Sequence, residues 1–509
     1  MKTMNQTGIV IAGLLLAILM ASMDNTIVAT AMGSIIADLG GLDKFVWVTS
    51  AYMVAEMAGM PIFGKLSDMY GRKRFFIFGI VVFMLGSALC GTATSIVQLS
   101  IYRAIQGIGG GALVPIAFTI MFDAVKPESR GKLMGLFGAV FGMSSIFGPL
   151  LGAYMTDYVK WEWIFYINLP LGLIAFLMVA IFYKESLQHV KQRIDWTGAF
   201  TLVGAIVCLM FAMELGGKQY AWNSAPILGL FAGFVLLTIF FIYAETRAEE
   251  PIISFRMFRD RLYAASNAIA MLSGAAFITA SVYIPIFIQG VLGGSATNSG
   301  LVLLPMMLGT VVTATAGGFL ISKFTYRAIL ISTLILLVAG MALLMTLTPE
   351  STRMTITLYM ILVGLGIGAS FSVLSNAAIH SVPATRRGAA SSTLNFLRSL
   401  GMTIGITIFG IIQSHSLTKH LADTFTGNGA SALPQGFDVK DPHALLDPAT
   451  RTQIPAGVLG QISDGLSSSI ATTFAWGLIP AVLALAAAFA MSREKFEIEP
   501  HTEAYSASH

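Results

Sequence analysis

Apolar residues run for about twenty positions at a time along this chain, give way to a short charged or polar cluster, and resume, fourteen times in all. A helix needs roughly 20 apolar residues to cross about 30 Å of hydrocarbon. The pattern predicts spans at 8–32, 46–64, 75–94, 97–121, 133–155, 164–183, 196–215, 225–244, 262–289, 300–322, 328–347, 355–380, 388–412 and 470–491. Between Arg261 and Lys323 lie 61 residues without one Asp, Glu, Lys or Arg, which two successive spans explain. The expected fold class is therefore an all-α membrane protein with 14 transmembrane helices.

Composition agrees, since 56% hydrophobic and 11% charged residues in a chain of 509 do not fit a water-soluble globule. Charge then orients the spans. With the N-terminus inside, 21 of the 30 lysines and arginines fall in inward segments and 7 in outward ones, while Arg103 and Arg398 lie within spans. This positive-inside bias predicts a multi-pass protein of the cytoplasmic membrane with both termini cytoplasmic. A signal peptide over the first 21 residues is the competing reading, but the apolar run continues past Asp24 and thirteen more spans follow. Cys90 and Cys208 both fall in predicted spans, so neither a disulfide framework nor a metal site is expected. The net charge of +4 follows from the topology signal and implies no nucleic acid partner.

Sliding the chain on itself by 257 positions brings Gly107, Gly109, Gly111 and Ala112 onto Gly364, Gly366, Gly368 and Ala369, and Arg130, Gly131 and Gly148 onto Arg387, Gly388 and Gly405. Spans four and five thus match spans twelve and thirteen, and the repeat unit is six helices with two more inserted between the halves. The expected units are a six-helix bundle over 1–185, two inserted helices and a cytoplasmic linker over 186–261, a second six-helix bundle over 262–492 with a long outward loop at 413–465, and a cytoplasmic tail over 493–509. Two parallel halves around a central cavity are one general plan of secondary transporters.

Charges inside spans are expensive and point to function. Asp24, in SMDNT, has only Met20, Ala21, Ile27 and Val28 as helical neighbours, so it must face a cavity, meet a partner on another helix, or carry a proton. Arg103 likewise has no acid on its own helix. At about 1.5 Å per residue the two lie roughly 7 and 9 Å to the outer side of the membrane middle, which places Arg103 where it can tune Asp24 or serve as a fixed donor to carbonyls. Glu56 falls mid-span, one turn from Tyr52, whose hydroxyl could share a hydrogen bond with it; it is a second protonation candidate and an attractor of cationic substrates. Glu214 near an outer helix end and Arg398 in span thirteen complete the candidate binding residues, with a solvated helix end and a packing role as their respective alternatives. Gly138, Gly142, Gly148 and Gly152 recur at four-residue spacing in span five beside Pro149, a face that allows close approach and a bend suited to a hinge between the halves.

The loop GKLSDMYGRKR at 64–74 puts Asp68 and Arg72 four apart, with Gly64 and Gly71 permitting tight packing and a turn. It resembles the signature loop of the major facilitator superfamily. MDNTIVATAMG at 23–33, WVTSAYMVAE at 47–56, LSIYRAIQGIGGG at 99–111, SSIFGPLLGA at 144–153 and WEWIFYINLPLG at 161–172 are similar to the fourteen-helix drug:proton antiporter branch, the EmrB and QacA type. Departures are Ala29 and Gly33 for the usual Asn and Pro, Ser144 and Ala153 for glycines, and Glu162 for Arg. The resemblance covers all the spans and is strongest in the first 200 residues. It implies proton coupling through Asp24, Glu56 and Arg103, and conformational roles for Gly64, Asp68, Gly71, Arg72, Arg130 and the span-five residues. A proton-driven exporter of varied lipophilic, often cationic, drugs follows, a multidrug efflux antiporter and not an enzyme, expected as a monomer in the lipid bilayer with protons as coupling ion and no cofactor. A sodium or metal-tetracycline/proton antiporter of the same fold is the alternative, followed by a solute uptake symporter, which should lack the span-five pattern.

Overall fold

The computed structural model describes every residue except 1, 41–45, 126, 186–194, 218, 295, 381, 426–455 and 496–509. Among the described residues the chain is helical throughout, with two isolated β-bridges and no strand. The helices are α1 (Lys2–Leu39), α2 (Val46–Tyr70), α3 (Arg72–Cys90), α4 (Ile96–Ala124), α5 (Pro127–Tyr158), the short α6 (Trp163–Tyr166) running into α7 (Asn168–Phe182), α8 (Trp196–Leu215), α9 (Ala225–Arg247), α10 (Arg261–Ile286), α11 (Ala296–Leu320), α12 (Tyr326–Leu344), α13 (Arg353–Ile379), α14 (Arg387–Phe425) and α15 (Ala456–Ala490). Their starts follow local chemistry: Ser95, Asp195, Asp260, Thr325 and Thr352 each cap a helix by accepting from an exposed first-turn N–H. Gly71, at φ 116°, makes the sharp break between α2 and α3 that a side chain would oppose.

Twelve described segments are long and apolar enough to cross a membrane, against the fourteen expected. The two that fall short are α2, which carries Glu56, Lys65 and Asp68, and α5, whose first turns hold Glu128, Arg130 and Lys132 and whose middle is glycine-rich. Helix α14 continues through Phe425 and α15 begins at Ala456, so both ends of the stretch expected as the 413–465 loop are helical.

The packing has two similar halves. In the first, α4 lies against α2 and α3, and α1 against α5 and α7; in the second, α13 lies against α11 and α12, and α10 against α14 and α15. The glycines explain the correspondence. Gly107 and Gly111 abut the backbone of α2 at Tyr52 and Glu56, and Gly109 abuts α3 at Phe83; Gly364 and Gly368 abut α11 at Met306 and Thr310, and Gly366 abuts α12 at Leu337. Gly148 meets Thr26 of α1 as Gly405 meets Ala275 of α10. With little apolar-burial force between helices in lipid, such close backbone contacts carry the association. The halves join along α2–α14 and α5–α11, while α8 packs on α2 and α9. Helix α9 is the least buried span and shows Leu236, Ile239 and Phe240 outward, as hydrocarbon requires.

Candidate functional site

Helices α1, α4 and α7 bring one polar cluster together in the interior of the first half. Asp24 and Arg103 are fully buried and paired through Oδ2 and a guanidinium N–H. The other carboxylate oxygen accepts from the amides of Gln106 and Asn168, each at 2.8 Å. Ser87 of α3 accepts from the same two amides, at 3.2 and 3.0 Å, and donates to the Phe165 carbonyl at 2.9 Å. Arg103 also donates to Gln106 Oε1 at 2.6 Å and to the Val48 carbonyl at 3.2 Å, with its guanidinium 4.2 Å over the Tyr52 ring. Asp24 thus has a guanidinium and two amide donors, a set that matches an ionised carboxylate able only to accept.

Sequence reading placed Asp24 and Arg103 at one depth, and they touch. It missed Asn168, Ser87 and the role of Gln106. Gln106 stood one turn from Arg103, and Asn168 stood in an otherwise apolar helix start, so polarity was the available signal. The expected Tyr52–Glu56 hydrogen bond is not formed: the Tyr52 hydroxyl is buried without a partner among the described residues. Both groups instead flank Gly110, whose missing side chain leaves them room. Glu214, at the end of α8, accepts from Ser50 of α2 at 3.0 Å, which ties α8 to the first half.

Arg398 of α14 is 7% exposed and has no carboxylate partner among the described residues. It donates to the Ser370 carbonyl at 3.1 Å, contacts Asn395 Oδ1 at 3.4 Å, and lies 4.7 Å over the Phe371 ring. In α5, Gly148 and Gly152 face Thr26, Ile27 and Thr30 of α1, and Thr26 donates to the Ser144 carbonyl at 3.1 Å. The close approach at these two glycines is therefore inside the first half, where a hinge between halves was expected. The side chain of Arg130 and the surroundings of Gly138 and Gly142 fall outside the described residues.

A second cluster fastens the halves at the basic end of the bundle. Asp68 pairs with Arg72 at 3.1 Å, as the spacing implied, and also accepts from the backbone of Gly388 and Ala389 at 2.9 and 2.8 Å, the first turn of α14. That turn offers unpaired N–H groups and a positive dipole end to the carboxylate. Arg72 reaches across to the Ala384 carbonyl at 2.6 Å and pairs with Asp123, which also meets Arg387 at 3.2 Å. Gly64 lies against Ser392 and the Gly388 carbonyl with no space for a side chain.

Two six-helix halves joined face to face, buried opposite charges in the first, and a charged clasp between them define a membrane transporter. The chain belongs to the Major Facilitator Superfamily, whose family model matches residues 14–406. It is 54% identical over 479 residues to multidrug resistance protein 3 of Bacillus subtilis (strain 168), covering 94% of each chain. It is also 35% identical to the multidrug transporter protein MdtP of the same organism, over 92% of this chain and 90% of that one. The crystal structure of the human organic anion transporter MFSD10 (TETRAN) superposes with a TM-score of 0.61 over 93% of this chain and 99% of that one, at 15% identity, a likeness of fold.

Proposed function

We propose that this protein is a multidrug exporter of the cytoplasmic membrane that exchanges lipophilic, often cationic, compounds for protons. Its relatives' names support multidrug transport; the observation that carries the coupling is the fully buried Asp24, held by Arg103, Gln106 and Asn168. An ion in such a place persists only while its partners stay. Motion that draws Arg103 from Asp24 leaves a carboxylate that takes a proton, and Glu56, beside Tyr52 across Gly110, is the second acid within that region. Return of Arg103 expels the proton. Binding of a cation near Glu56 and protonation of the acids compete, which links the two fluxes. At about 2.3 kcal/mol per charge per 100 mV and about 1.4 kcal/mol per pH unit, one proton sustains a roughly five-hundredfold gradient of a neutral drug, whereas one-for-one exchange for a cation moves no net charge and draws on the pH term alone. In the same reading α2 and α5 also cross the membrane, giving fourteen spans, with the basic end and both termini in the cytoplasm.

Everted membrane vesicles loaded with the protein test this. Ethidium accumulation should stop when nigericin collapses the pH gradient and persist when valinomycin collapses the voltage, since exchange of this cation for one proton moves no net charge. Accumulation indifferent to both ionophores removes proton coupling. Dissipation of the pH gradient by sodium alone, with no organic compound present, supports the sodium/proton reading instead.

A further inference from the structure

Away from the transport site, at the basic end of the second half, the starts of α10 and α12 and the end of α15 enclose an open cavity of about 800 Å³. Arg261, Arg327 and Arg493 stand around it, and its walls are apolar: Ala264 and Ala268 of α10, with Phe489 and Ala490 of α15. None of the three arginines makes an ion pair among the described residues. The acids next to them in sequence are engaged: Asp260 caps α10 by accepting from Leu262 at 2.8 Å, and Glu494 accepts from Ser492 at 2.8 Å and lies 3.7 Å from His380. The Tyr326 N–H also donates to the Glu494 carbonyl at 3.1 Å, and Thr325 bridges to Lys495, so the segment carrying Arg493 is fixed against α12.

Depth identifies the occupant. Arg261 opens one apolar span, Arg327 is the second residue of another, and Arg493 comes three residues after the end of a third, so all three stand at the ends of apolar spans, where a helix of spanning length meets the lipid headgroups. Topology signals alone account for arginines at this end, but not for their convergence on a trough floored by alanines. Small side chains there leave room for an acyl chain, and guanidinium forks match phosphate oxygens. We propose that this cavity is a binding site for an anionic phospholipid, with its phosphate on Arg261, Arg327 and Arg493 and an acyl chain between α10 and α15. The site is independent of the transported substrate.

The test uses the purified full-length protein in phosphatidylcholine nanodiscs titrated with phosphatidylglycerol or cardiolipin, with retained lipid counted by native mass spectrometry. Wild-type protein should retain the anionic lipid, and Arg261→Gln/Arg327→Gln/Arg493→Gln should weaken retention roughly a hundredfold, each basic residue at a membrane surface contributing to anionic-lipid attraction. Ala268→Trp, which fills the trough and leaves every charge, should also lose retention, whereas the triple lysine variant should keep most of it. Thermal melts in pure phosphatidylcholine, where the site is empty in every variant, check that the variants are folded. Equal retention by wild type and the triple glutamine variant overturns the proposal. So does displacement of the lipid by millimolar inorganic phosphate, or unchanged retention in Ala268→Trp, since either result describes a site for a free anion.

Discussion

Asp24 shows how one side chain inherits its chemistry from neighbours on other helices. Its carboxylate is useless alone in hydrocarbon and meaningful beside Arg103, Gln106 and Asn168, which reach it from α4 and α7. Asp24→Asn keeps size and polarity but cannot exchange a proton, so ethidium accumulation in everted vesicles should vanish while ethidium binding to the purified protein stays within a few-fold. Proton-driven accumulation by that variant would move the coupling to Glu56. Arg103→Leu leaves a buried carboxylate without its cation, a defect of about 3–5 kcal/mol that should lower the melting temperature. Arg103→Leu/Asp24→Leu should recover much of that stability and none of the transport. The candidate list read from the sequence held both ends of this pair because a charge in an apolar run stands out. It held neither Asn168 nor Ser87, because a neutral polar residue near a helix end is ordinary.

At the scale of helices, glycine spacing decides which surfaces meet. Gly107 in α4 and Gly364 in α13 occupy matching places, each pressed against the backbone of a neighbouring helix. Leucine at either position has no room and must push helices apart, at a cost of about 1–3 kcal/mol or more. Gly107→Leu and Gly364→Leu should therefore lower the melting temperature by similar amounts, and a large asymmetry would show that the halves differ in packing more than their glycines indicate. Gly148→Leu collides with Thr26 of α1, two residues from Asp24, so its expected effect is on the buried Asp24 cluster as well as on packing: transport lost, with a depressed melt. The four-residue spacing announced a close contact but not its partner. Spacing specifies a face, and only the arrangement of all the helices determines what that face meets.

For the whole molecule the clasp at the basic end is the main conformational statement. Asp68 joins Arg72 on its own half and caps α14 on the other, and Asp123 collects Arg72 and Arg387. Asp68→Asn weakens both links, so spin labels replacing Arg74 and Thr385 should show a longer mean separation and a broader distribution than in the parent protein. An unchanged distribution would mean that Asp68 does not hold this end shut. Topology belongs to the same scale. Cysteine replacing Ser254, in the connection after α9, should be labelled only from the cytoplasm, and cysteine replacing Asn223, between α8 and α9, only from outside. Labelling of position 254 from outside would remove the inserted pair from the fourteen-span arrangement.

Hydropathy and charge were enough to establish a helical membrane protein, because each span must satisfy its own backbone and its own solvent, which are local demands. The 257-residue repeat was equally local, since matching positions keep matching glycines, and the Asp68–Arg72 pair lies within four residues. Apart from the Asp24–Arg103 pair, whose two charges stand out in apolar runs, contacts between distant segments were beyond the sequence: Asn168 reaching Asp24 across 144 positions, Asp68 capping a helix 320 positions away, Asp123 bridging two arginines, three arginines from α10, α12 and the chain after α15 converging on one trough. No periodicity encodes them. They arise when two halves, each packed on its own glycines, are set face to face, and that placement depends on every interface at once.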